Sequence, residues 1–148
     1  MLCNVKMLLL IVLMGILTTS CQKDEKEKSV YQLRIQNEMN LDLLGLPIMK
    51  YNIVECKLGD LTFSDIAYGE YSNRLSIKSS TDYNCTVKIE VFNYNVDAFS
   101  WESSGYETYD MGTISWVDDE DYTNLKLKFE IGDLLQGYKP VYTKYAEQ

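Results

Sequence analysis

Leu125-Lys126-Leu127-Lys128-Phe129-Glu130-Ile131 decides the fold class. Apolar and charged residues alternate without interruption, so an extended chain puts four apolar side chains on one face and three charges on the other. A helix would scatter the same residues around its circumference. The period of two recurs upstream. Cys85, Val87, Ile89 and Val91 alternate with Thr86, Lys88 and Glu90, and Tyr31, Leu33 and Ile35 alternate with Gln32, Arg34 and Gln36. Strands with one face on a core and one in water belong to antiparallel sheets.

Less regular strand candidates cover Met49 to Lys57, Leu61 to Ile66, Tyr71 to Lys78 and Tyr109 to Val117. Turn-forming residues separate them: Gly59-Asp60, Gly69-Glu70, Ser79 to Asp82, and Asp118 to Asp121. About seven strands at a spacing of roughly 8–12 residues predict an all-β chain folded as a single β-sandwich. Leu41 to Ile48 is broken by Gly45 and Pro47 and reads as a loop or single turn. After Asp133, Leu134 and Leu135 could start a short helix that Gly137 and Pro140 would stop. The sandwich is expected to occupy residues 30–148.

The chain has 148 residues, long enough for one domain with a real core. Fourteen Lys and Arg face 22 Asp and Glu, and histidine is absent. A pI near 4.5 leaves no basic surface to neutralise phosphates, which argues against nucleic acid as a partner. Without histidine there is no Ser–His or Cys–His nucleophile pair, no histidine proton shuttle and no imidazole metal ligand. The sequence asks for no cofactor.

Residues 1–20 read as a cleaved signal peptide. Lys6 supplies the positive n-region, and Met7 to Leu17 is an unbroken apolar run of 11 residues. As a helix it spans roughly 16 Å, against the ~30 Å of a bilayer's hydrocarbon core. Leu17-Thr18-Thr19-Ser20-Cys21 resembles the lipobox of bacterial lipoproteins, with the leucine one place earlier than usual. The resemblance implies acylation of Cys21, with an ordinary signal-peptidase site after Ser20 as the alternative. Gln22-Lys23-Asp24-Glu25-Lys26 is similar to the surface-export signal of Bacteroidota lipoproteins, which implies a lipid-anchored place on the outer membrane, facing the cell exterior, with the periplasmic face as the alternative. Residues 21–29 then form a charged tether too polar to pack. The stretch from Gly59 to Val91, with GDLTF and YGEYS ahead of a strand, resembles small immunoglobulin-like or transthyretin-like sandwiches among those lipoproteins. That likeness implies a fold and no activity.

Once the leader and Cys21 are set aside, Cys56 and Cys85 remain as an even pair in an exported domain. A bridge and two buried thiols both stay open. Cys85 shares a face with Val87 and Ile89, whereas Cys56 falls opposite Tyr51 and Ile53 unless a bulge intervenes.

From Asp97 to Asp121 there are eight acids and no base, together with Phe99, Trp101, Tyr106, Tyr109 and Trp116. Exposed rings stack on the apolar faces of sugars, and carboxylates accept from sugar hydroxyls. Trp101, Glu102, Tyr106 and Tyr109, around a loop expected at Ser100 to Gly105, are the candidate ligand-binding residues. Trp116 is in phase with Ile114 and reads as core. Asp118, Asp119 and Asp121 are weak calcium candidates, because their spacing lacks the glycine and the length of an EF-hand loop. A glycoside hydrolase working through two carboxylates is the least favoured reading, since no pair stands out. The sequence is therefore read as a non-enzymatic, surface-exposed lipoprotein: a binding or adhesion module for a glycan or a protein. A structural accessory subunit of an outer-membrane surface complex is the alternative.

Overall fold

A computed structural model describes residues 30–78, 81–116 and 124–147. The leader, Cys21 with its tether, and Asp118, Asp119 and Asp121 lie outside the described residues. The chain is all-β, built from two sheets. Among the described residues nine strands follow one another: β1 (Val30–Asn37), β2 (Asn40–Leu43), β3 (Leu46–Leu58), β4 (Leu61–Ile66), β5 (Leu75–Lys78), β6 (Asp82–Asn95), β7 (Ser100–Ser115), β8 (Asn124–Ile131) and β9 (Pro140–Glu147). No helix among the described residues is long and apolar enough to cross a membrane.

The first sheet runs β5-β1-β8-β9 and the second β2-β3-β6-β7, with β4 also paired to β3. The alternating segments behave as their period requires. Leu33, Ile35, Ile53, Val87, Ile89, Leu127 and Phe129 are fully buried between the sheets, and Trp116 and Ile114 join them. One pairing departs from the antiparallel expectation: β1 and β8 run parallel, from Gln32↔Asn124 to Asn37↔Phe129. The alternation reports one wet face and carries nothing about the direction of the neighbour.

Two strands occupy segments expected to be irregular. Leu41 to Ile48 is the β2–β3 hairpin, turning at Leu44 (φ 51) and Gly45 (φ 80). Two consecutive positive φ values are what a two-residue hairpin turn needs, so Gly45 shapes the turn where it was read as a break. After Asp133 a single 3₁₀ turn (Leu134–Gln136) forms and Gly137 stops it in the left-handed region. The chain then continues as β9, with Pro140 as its first residue, a place where a missing N–H costs a sheet little. The Tyr71 to Lys78 candidate is strand only from Leu75, although Tyr71 makes an isolated bridge to Gln36.

The registers give the molecule two ends. Val30, Gly59, Lys78, Ser115, Asn124 and Glu147 gather at one, which we call proximal because the chain enters there. The β2–β3 turn and the β6–β7 turn (residues 96–99) lie side by side at the other. Between β1 and β2 the chain crosses from one sheet to the other, and Asn37 holds that corner. Its Nδ2 donates to the carbonyls of Tyr51 (2.8 Å) and Ile66 (2.9 Å), and its Oδ1 accepts from the Met39 N–H (3.1 Å). The side chain is fully buried, so it bridges elements that no sheet ladder connects.

A bulge settles the phase of Cys56. Against β6, Ile53 pairs with Ile89 and Glu55 with Lys88, so Val54 is one residue too many and inverts the alternation beyond it. Glu55 turns outward and Cys56 turns into the core, on the same face as Cys85. Both cysteines are free thiols, fully buried.

Candidate functional site

The outward face of the second sheet is legible from the register. Lys50 of β3 lies opposite Phe92 of β6 and opposite Asn40 of β2, while Tyr94 of β6 lies opposite Trp101 of β7. All five belong to the face turned away from the core, near the distal end. The Tyr94 and Trp101 rings meet edge to face, with centroids 5.2 Å apart. The Lys50 ammonium lies 4.9 Å from the Trp101 ring and 5.6 Å from that of Phe92, a cation held over two aromatic faces. Beyond β4, the Tyr68 N–H donates to Asn52 Oδ1 (3.1 Å), which ties the Tyr68 segment to the next outward position of β3.

Asn40, Asp42, Met49, Lys50, Tyr68 and Trp101 line an open groove of about 370 Å³. That volume is at the small end of ligand sites, roughly 300–1,000 Å³. Trp101 is half-buried, fixed on one side and accessible on the other, and Tyr68 is exposed. A carboxylate, an amide, an ammonium and two aromatic rings therefore converge on one hollow. Such a set can stack on an apolar ring face and hydrogen-bond to hydroxyls around its rim. A second hollow, of about 140 Å³ between Phe63 and Leu75, is less than half that volume and lacks an ionisable side chain.

The structure divides the four sequence candidates between two faces. Residues 100–105 are strand, not loop, because the chain turns earlier, at residues 96–99. Bulges at Ser104 and Met111 blur the period of β7, so that only its part from Tyr109 onward reads as a strand in the sequence. Trp101 lines the groove. Tyr106 shares its face but stands further along the strand, 61% exposed, with the Lys88 ammonium 5.3 Å from its ring. Glu102 points to the opposite face and accepts from Asn95 Nδ2 at 2.8 Å. Tyr109 also turns inward, packs against the core and donates its hydroxyl to Glu107. Burial first, and then that bond, push the Tyr109 phenol up to about 12. Burial, with Glu107 nearby, likewise raises Tyr51. These two phenols stay neutral at any physiological pH.

Among the described residues, the acids of this segment do not form one patch. A sixteen-residue strand is about 50 Å long, and β7 carries Glu102 near the distal end and Ser115 to the proximal end. The residues sequence reading missed, Asn40, Asp42, Lys50 and Tyr68, come from three separate parts of the chain. Only the sheet order brings them to Trp101.

Comparison with protein-family models, with characterised proteins and with solved structures finds no match for this chain.

Proposed function

We propose that the protein is a non-enzymatic, lipid-anchored surface module that binds carbohydrate in the groove beside Trp101. The observation that carries this reading is the convergence of Trp101, Tyr68, Asn40, Asp42 and Lys50 on one hollow. Its position favours the same reading. Val30 enters at the proximal end and the groove lies toward the distal one, so a chain tethered through Cys21 would present the groove away from the membrane. In that arrangement the lipid holds the protein, the charged tether keeps it clear of the head groups, and the sheet presents the site. Stable anchoring needs more than one acyl chain, which N-terminal acylation of Cys21 would provide.

Binding to a glycan array tests the site. Wild-type protein should be retained on a subset of glycans. Trp101→Ala and Asp42→Ala should each weaken retention at least tenfold while shifting the thermal midpoint by less than about 3 °C. No retention of wild type on any glycan defeats the carbohydrate reading. The anchor is tested separately: Cys21→Ala should move the protein from the membrane fraction to the soluble one, and protease shaving of whole cells should remove the wild type.

A second reading, an accessory subunit of a surface complex, is favoured by the free edge of β7. Its long ladder side is unpaired among the described residues, and the strand carries no lysine to discourage another strand from adding. A stoichiometric partner recovered from intact outer membranes would support it.

A further inference from the structure

We propose that Cys56 and Cys85 form a dithiol site for oxidation by a disulfide donor, closing into a cross-strand bridge that fastens β3 to β6 inside the core. The geometry carries this. β3 and β6 are adjacent antiparallel strands, with Cys56 opposite Val87 and Leu58 opposite Cys85, so the cysteines are diagonal neighbours. The Val54 bulge puts both on the inward face, and both are fully buried. Their thiols are hydrogen-bonded to each other. A covalent bond of ~2.04 Å between them would join two inward positions of adjacent strands.

The hydrogen bond also sets the order of events. Cys56 donates, which raises it, and burial raises it further; Cys85 accepts and is lowered. Cys85 is therefore the attacking sulfur. As a thiolate it displaces one half of the donor disulfide RSSR, giving the mixed disulfide Cys85–S–SR and a thiolate that is protonated to RSH. Cys56 then loses its proton and attacks the Cys85 sulfur, and the second half leaves as RSH. The protein loses two electrons and two protons, and the donor disulfide is reduced to two thiols. The oxidant reaches the pair while β3 and β6 assemble or when the edge strand β7 opens, since the closed core excludes it.

This inference is independent of the carbohydrate reading, and its test needs neither glycan nor membrane. The full chain with Cys3→Ala and Cys21→Ala carries only the two thiols in question. It is equilibrated with graded ratios of glutathione to glutathione disulfide, quenched in acid, unfolded and labelled with a maleimide of high mass. The expected result is two labels under reducing conditions and none under oxidising ones, with the oxidised form melting about 10 °C higher. Adding Cys56→Ser to this chain should trap a glutathione adduct on Cys85, whereas Cys85→Ser should trap far less on Cys56. Two labels at every ratio, a bridge that forms only in denaturant, or a bridged form that melts lower than the dithiol overturns the proposal.

Discussion

Asn37 shows how much one polar side chain contributes when it is buried and fully used. Its amide joins the β1–β2 corner to the carbonyls of Tyr51 and Ile66 and accepts the Met39 N–H. Replacing it with alanine leaves three backbone groups unpaired in the core. Asn37→Ala is therefore expected to cost about 3 kcal/mol in denaturant unfolding, and Asn37→Asp at neutral pH nearly as much, since a carboxylate cannot donate to two carbonyls. Glu147 has a pH signature. Burial would raise its carboxyl, but Arg34 (Nε at 3.1 Å) and Arg74 (2.9 Å) outweigh that and hold it below its ordinary 4.5. A carboxyl lowered by folding stabilises the protein above its unfolded pKa, and that contribution is lost as pH falls through the folded value. Glu147→Gln should thus cost about 0.5–1 kcal/mol at pH 7, and that cost should shrink as the carboxylate is protonated in acid. A cost that does not change between pH 7 and pH 3 would contradict the pairing.

At the scale of the element, the bulges decide which side chains meet. Deleting Val54 would take out the extra residue and leave Ile53, Glu55 and Cys56 in regular alternation, with Glu55 still outward and Cys56 still in the core. The variant is expected to fold with Cys56 still shielded from thiol reagents, at a cost of about 1–3 kcal/mol read as the denaturant midpoint; a Cys56 that becomes freely reactive would contradict the bulge. The distal turns behave differently. Phe99 is 83% exposed with φ 52, a conformation that costs a bulky residue about 1 kcal/mol or more. Phe99→Gly or Phe99→Asn should leave stability unchanged or raise it by up to about 1 kcal/mol. The same features mark the limit of sequence reading. The clean alternations of Leu125 to Ile131 and Cys85 to Val91 gave strands where strands are found, because one face of each is wet. β7 was half missed, because two bulges shift its phase and its edge position leaves both faces partly exposed. β2 was hidden by Gly45 and Pro47, residues that break a strand in its middle but suit a hairpin turn and the beginning of a strand.

For the molecule as a whole, the two sheets differ in charge as well as length. The outward face of the first carries Arg34, Lys126 and Lys128, with both lysines over the Tyr145 ring, whereas β7 of the second carries acids and no base. The excess of acids read from the sequence is thus an uneven distribution: among the described residues β7 carries Glu102, Glu107 and Asp110, with Phe99 and Trp101 toward the distal end. Of the candidate site, Trp101 was legible because a tryptophan beside acids is chemically conspicuous. Its partners were not, since Asn40, Asp42 and Tyr68 become neighbours only through the sheet order and the corner at Asn37. That the groove beside Trp101 takes carbohydrate is the central claim, and backbone amide shifts during titration with a glycan retained on the array test it most directly. The expected result is saturable perturbation centred on Asn40, Asp42, Lys50, Tyr68 and Trp101, with residues near Val30 and Glu147 unmoved. Perturbation centred instead on Tyr106 and Lys88 or on the proximal end, or saturable binding that leaves the groove amides unmoved, would contradict it.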